Sequence, residues 1–222
     1  MSSLLSISSE ERSRLDDIAS RQDDMVTRVQ IWSKINSGSH NRAGLDEMRG
    51  VLRQAFQPLG GQITDCDLMA GTYVTPAGQQ TEVDYAPALE IAVRPDAPIQ
   101  IVLTGHYDTV FPKDFHFQSP KWLDDETLNG PGVADMKGGI VVMLEALKAL
   151  EQHSAKDNVG YNILLSPDEE IGSPGSAPRL AQLGRQSHIG LTFEPALADG
   201  SLAGARKGSG NFAVIIKGRA AH

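Results

Sequence analysis

Apolar residues recur along this chain in two rhythms, and the switches between them mark out its elements. Ser8 or Ser9, followed by Glu10 and Glu11, suits a helix cap with an acidic first turn. Leu15, Ile18, Ala19, Met25, Val29 and Trp32 then return at roughly helical spacing. Ile35–Arg42 (INSGSHNR) interrupts them with turn residues. Leu45, Met48, Val51, Leu52 and Phe56 stripe one face of a second helix over about Ala43–Pro58, which Gly60–Gly61 ends. Ile63–Val74 and Ala88–Val93 read as strands, with Gly71 and Pro76–Gln80 as breaks. The run Pro98–Leu103 leads into Ile101–Val110 (IVLTGHYDTV), where a strand stops at a glycine and delivers His106 and Asp108. Phe111–Gly132, with three prolines, is irregular, and His116 within it is expected to face solvent. Gly138–Gly139 opens a helix over Ile140–Gln152 that is apolar nearly all round and so buried, with Glu145 placed at its solvent edge. A strand over Gly160–Ser166, a helix over Pro174–Arg185 and a strand over Ile189–Phe193 follow, then strands over Ser201–Arg206 and Asn211–Lys217. Strand and helix in alternation predict an α/β fold whose mainly parallel sheet is covered by helices.

Composition narrows the function. With 222 residues, 40% hydrophobic and 22% charged, the chain has globular composition, enough for one large domain or one domain and the start of another. A formal net charge of −8 argues against nucleic acid or an anionic membrane as partner. The single cysteine, Cys66, excludes an intrachain disulfide and a multi-cysteine metal site, and reads as a small apolar filler in a strand rather than a reactive thiol. No apolar run reaches 18 residues, and the polar start MSSLLSISSEERSRLDD does not read as a signal peptide, so a cytoplasmic location is expected.

The chemistry concentrates at strand ends, where open α/β sheets bind ligands. Residues i and i+2 of an extended segment share a side, so His106 and Asp108 can point together. They are either a metal ligand with the carboxylate that orients it or a polar pair closing a strand. Asp135 lies in a glycine-flanked turn before a helix, Asp168-Glu169-Glu170 follows one strand, and Glu194 ends the next. Such acids converge on one sheet edge, a costly crowd of like charge unless a cation sits among them. One histidine with carboxylates suits Zn, Mn or Co. Of the Glu169–Glu170 pair, one can ligate while the other takes a proton from water. The competing reading of Asp168–Glu170 is an acidic solvated rim. No G-x-S-x-G elbow or phosphate loop is present, and Gly130-Pro131-Gly132 has only two of the glycines of a dinucleotide fingerprint.

Gly105-His106-Tyr107-Asp108-Thr109-Val110, Gly130-Pro131-Gly132-Val133-Ala134-Asp135-Met136-Lys137-Gly138-Gly139, Asp168-Glu169-Glu170-Ile171-Gly172-Ser173 and Glu194-Pro195 together resemble the M20 metallopeptidases. The spacings from His106 to Asp135 and from Glu170 to Glu194 are most similar to the glutamate-carboxypeptidase branch. The resemblance implies a three-layer α/β/α zinc-exopeptidase-like fold, incomplete at its C-terminus. Residues 1–207 would be the front of the catalytic domain and residues 208–222 the beginning of a lid that makes family members homodimers. It implies two zinc ions per site, cobalt or manganese being possible. His106 and Glu194 would hold one zinc, Asp135 would bridge both, Glu170 would bind the second, Glu169 would be the general base, and Asp108 would orient His106. The peptide after Asp135 would be cis. Implied substrates are small N-acyl amino acids or dipeptide-like amides with a free carboxylate, hydrolysed by metal-activated water. His222 matches by position a lid histidine that stabilises the oxyanion, and the family's last zinc-binding histidine has no counterpart in this chain. A second reading therefore stands beside the first: a catalytically inactive truncated fragment that at most binds one metal ion, with unpaired strands open to association.

Overall fold

The computed structural model describes residues 7–75, 77–197 and 199–201, together with 208, 210, 212, 214–216 and 218–219. The first helices are α1 (Ser9–Ser20), α2 (Gln22–Ser33) and α3 (Arg42–Phe56). Strands β1 (Gln62–Cys66), β2 (Gly71–Val74), β3 (Gln80–Val83), β4 (Ala88–Val93) and β5 (Ile99–His106) follow. The short β6 (Lys121–Trp122) and β7 (Leu128–Asn129) come next, then α4 (Gly139–Leu150), β8 (Val159–Ser166), α5 (Ala177–Gln186) and β9 (Ile189–Thr192).

The central sheet has the order β1-β4-β8-β5-β9. β5 runs parallel to both β8 and β9, and β4 runs antiparallel to β1 and β8, so four of the five strands point the same way. The strand alternation divides the core into two layers. Leu89, Ile91 and Val93, Leu103, and Tyr161, Ile163 and Leu165 pack with the buried faces of α2, α3 and α4. Ala88, Val102 and Leu164 face the opposite way onto Leu183 and Leu180 of α5. The result is the expected three-layer α/β/α arrangement. Register sets His106 level with Ser166 and Thr104 level with Thr192. The carboxyl ends of β5, β8 and β9 therefore lie side by side, and each is followed by acidic residues.

Several expectations need correction. The first helix is two helices. Ser8 and Glu11 form a reciprocal capping box at the start of α1, and Arg21, with ψ of 17°, breaks the run before α2. Ile63–Val74 is two strands separated at residues 67–70, the first in the main sheet against β4, the second paired with β3. Within Phe111–Gly132, β6 and β7 form a small hairpin. Glu145 is not at a solvent edge: it is 4% exposed. α1 and α2 pack over α4 and bring cations to it, Arg28 at 3.1 Å and Arg21 at 3.4 Å, while Lys148 of α4 itself lies at 2.7 Å. Burial is tolerated because the charge is paired. His116 is exposed, as expected. The strands expected at 201–206 and 211–217 fall largely outside the described residues, as do the proposed domain boundary at 207 and His222. Among the described residues no helix is long and apolar enough to cross a membrane.

Candidate metal centre

His106 is the last residue of β5 and is 1% exposed; Asp108 is fully buried. The His106 Nδ1 lies 3.2 Å from Asp108 Oδ1 and 3.1 Å from the Asp108 carbonyl oxygen. A carboxylate and a carbonyl both only accept, so Nδ1 carries the proton and Nε2 is the atom turned toward the cluster. Around Nε2 stand Asp135 Oδ1 at 2.9 Å, Glu194 Oε1 at 3.6 Å and Glu169 Oε2 at 3.8 Å.

Each acid is delivered by a different element. Asp135 sits in the turn Val133–Gly138 with an extended backbone, φ −118° and ψ 99°, and its peptide to Met136 is cis. Gly132, at φ 69°, opens that turn in a conformation L side chains rarely adopt, and its carbonyl accepts from the Lys137 amide at 2.8 Å. The buried Met136 sulfur accepts the His106 amide at 3.1 Å, locking the turn to the end of β5. Glu169 and Glu170 follow β8, and Glu194 follows β9. Asp108 ties these ends together, since its two oxygens accept the backbone amides of Glu169 and Glu170, each at 3.2 Å.

The electrostatics suit a cation. Burial alone would pull the His106 imidazole down, but hydrogen bonds and charge from Asp108 and Glu194 win and push it up to about 11. Asp135 makes the shorter contact with Nε2, but it is 55% exposed against 26% for Glu194, so water screens its charge more. Glu170 is pushed up to about 7 by burial and then by the charge of Asp135, with His106 partly opposing. Glu169 is raised too, by burial first and by Glu194, Asp108 and Asp135 after it. His106, Asp135 and Glu194 can each offer one ligand atom within 4.8 Å of the others. This nitrogen and oxygen donor set fits a divalent ion of the Zn, Mn or Co kind. Cys66 lies in β1, at the far edge of the sheet from β9.

Of the residues singled out in the sequence, the fold brings His106, Asp108, Asp135, Glu169 and Glu194 into one cluster. Glu170 stands beside it and outside the three-ligand group. Three contributors have roles that the sequence did not assign. Asp168 is no rim charge: fully buried, its Oδ2 accepts the Gly175 and Ser176 amides at 2.7 and 3.0 Å and fixes the chain beyond Glu170. Lys137 is buried and donates Nζ to the Trp32 and Ile35 carbonyls at 3.1 and 2.8 Å. Ser39 donates its hydroxyl to Asp108 Oδ2 at 2.7 Å. For Lys137 the signal was a lone cation among small residues in the Asp135 turn; for the other two no pattern in the sequence points inward.

A pH dependence follows from Glu170. With the folded carboxyl titrating near 7 and the unfolded one near 4.5, the folded protein binds more protons between those values, so rising pH through that window lowers stability. Metal-free Glu170→Gln should therefore gain thermal stability relative to the parent as pH rises from 4.5 to 7, read as the difference between two Tm profiles. A difference that stays flat would refute the raised carboxyl.

The family model of Peptidase family M20/M25/M40 matches residues 102–215, which include all four acidic motifs. Carboxypeptidase G2 of Pseudomonas sp. (strain RS-16) is 34% identical over 123 residues, 55% of this chain and 30% of that protein. Human carnosine dipeptidase 1 superposes with a TM-score of 0.66 at 19% identity, over 82% of this chain and 40% of that one. An M20 family metallo-carboxypeptidase of Sulfolobus solfataricus gives 0.59 at 20% identity, over 81% and 39%. At these identities the two structures speak for the fold. The chain spans 30–40% of the length of these relatives. With more than half of its residues under the family model, the chain belongs to peptidase family M20/M25/M40.

Proposed function

We propose that this chain carries the metal centre of a zinc-dependent hydrolase that cleaves amide bonds in small N-acyl amino acid or dipeptide-like substrates with a free carboxylate. The observation that carries the reading is the convergence of His106 Nε2 with Asp135 and Glu194, with the Glu169 carboxylate beside them. The relatives' names, a carboxypeptidase and a dipeptidase, support the amide class.

In this reading His106, Asp135 and Glu194 hold one cation, and Asp135 with Glu170 contributes to a second. A divalent ion held there would supply Lewis acidity, polarising the scissile carbonyl and making water easier to deprotonate. Asp108 keeps the proton on His106 Nδ1 and so leaves the Nε2 lone pair to ligate a cation. Glu169, outside the three-ligand group, takes the proton from the attacking water and gives it to the leaving amine nitrogen as the C–N bond breaks. Its raised affinity for protons suits that exchange.

A second reading is a chain that holds at most one cation, without turnover. Its support is that one group of three convergent ligands occurs among the described residues. Metal content per chain, measured with hydrolysis of an N-acyl amino acid panel in the same preparation, separates the two. Two zinc equivalents with turnover are expected from the first reading. One equivalent or none, without turnover, supports the second and refutes the first.

A further inference from the structure

The Asp108 carboxylate is the meeting point of three segments, and its partner from the N-terminal third has no place yet in the chemistry. A carboxylate offers about four acceptor positions. Here Oδ1 faces His106 Nδ1 and the Glu169 amide, and Oδ2 accepts from the Glu170 amide and the Ser39 hydroxyl. All four positions are therefore used. The Ser39 bond, at 2.7 Å, is the shortest of them and is charge-assisted.

Ser39 is itself held where it is. Its amide donates to the Thr109 carbonyl at 3.2 Å, and the Thr109 amide donates to the Ser37 carbonyl at 3.0 Å, so this loop runs as a short parallel bridge along the exit of β5. Asn36 fastens the same loop to the Phe111 and Pro112 carbonyls at 3.1 and 3.2 Å. A Cβ on Gly38 would lie 2.4 Å from the Phe111 carbonyl oxygen, so the loop is seated as close as backbone allows. The hydroxyl is thus aimed by a rigid frame and does not sample solvent at random.

We infer that Ser39 is a positioning residue of the metal centre: its hydroxyl on Asp108 Oδ2 completes the set of donors that holds one carboxylate against both the His106 ring and the Glu169–Glu170 amides. Without it, Oδ2 keeps a single 3.2 Å partner and the carboxylate is held less firmly against Nδ1. The ring that presents Nε2 and the segment that carries Glu169 and Glu170 then loosen together. The inference rests on the proposal that His106 ligates a cation.

The test is Zn²⁺ affinity of the full 222-residue chain, by chelator competition, with Tm recorded on the metal-free protein. Ser39→Ala should weaken Zn²⁺ binding by about tenfold, the lower end of what loss of a ligand's own hydrogen-bond partner costs, because Ser39 acts one step further out through Asp108. Ser39→Thr, which keeps the hydroxyl, should restore it to within about twofold of the parent on the same scale. In an Asp108→Asn background, Ser39→Ala should cost little further affinity, because the path runs through Asp108. A lower Tm with unchanged Zn²⁺ affinity in Ser39→Ala would overturn the positioning role and leave only a structural one. Failure of the parent chain to bind Zn²⁺ would instead overturn the metal reading beneath it.

Discussion

Under the proposed zinc-dependent hydrolysis, Glu169→Gln is expected to lower kcat by about 10²–10⁴-fold, with zinc content unchanged and KM within a few-fold of the parent. The separation follows from geometry. The Glu169 backbone is fixed by its amide on Asp108 Oδ1, while its side chain stays 47% exposed and approaches His106 Nε2 only to 3.8 Å. It stands next to the three-ligand group without belonging to it. Glutamine keeps the size and the backbone contact but cannot accept and return a proton. Atomic emission of purified Glu169→Gln beside Asp135→Ala supplies the comparison. Zinc loss equal in the two would mean that Glu169 ligates and that the base lies elsewhere.

Gly139→Ala is expected to destabilise the chain by about 1–3 kcal/mol and to weaken zinc binding, although residue 139 offers no ligand. A Cβ there would lie 1.9 Å from the Phe193 carbonyl oxygen and 3.1 Å from its carbonyl carbon. Both are backbone atoms of the residue before Glu194, and the Phe193 amide is tied to the Thr104 carbonyl. The strand end cannot swing aside without taking Glu194 with it. Because Gly139 opens α4 directly after the Asp135 turn, an added methyl pushes apart Asp135 and Glu194, the two carboxylates proposed to share a cation. Gly50→Ala in α3 is the control: its Cβ meets nothing within 4 Å, and alanine there should match or raise Tm by its better helix propensity. Equal behaviour of the two variants would show that the clash is relieved without moving Glu194.

Much of this was legible in the sequence for physical reasons that can be named. β4 and β8 are mostly apolar, interrupted by Glu90 and Asn162, because both of their faces are covered, and such stretches announce themselves. His106, Asp135, Glu169 and Glu194 could be placed together because each falls just beyond a strand or before a helix in an α/β pattern. Glu145 was misplaced because its cations, Arg21 and Arg28, come from other helices and leave no mark on the rhythm of α4. The break at Arg21 was invisible for a similar reason: the apolar spacing continues through it, and no glycine or proline marks it. Asp168 and Glu169 are neighbours of one chemical type, yet one is buried on backbone amides and the other faces the cluster. Only the path of the chain after β8 distinguishes them.

The buried Lys137 amine has a consequence for how the molecule comes apart. It reaches the carbonyls of Trp32 and Ile35 at the exit of α2, where a helix leaves acceptors without partners. The Ser33 hydroxyl adds a bond to the Pro131 carbonyl at 2.7 Å, on the approach to the same turn. The Asp135 turn is therefore anchored to the amino-terminal helices and not to the sheet alone. α2 cannot open without stranding a buried amine, and the turn cannot rearrange without uncapping α2. The two form a single cooperative unit, so any ligand that favours the ordered turn also raises the free energy of opening a helix that it never touches.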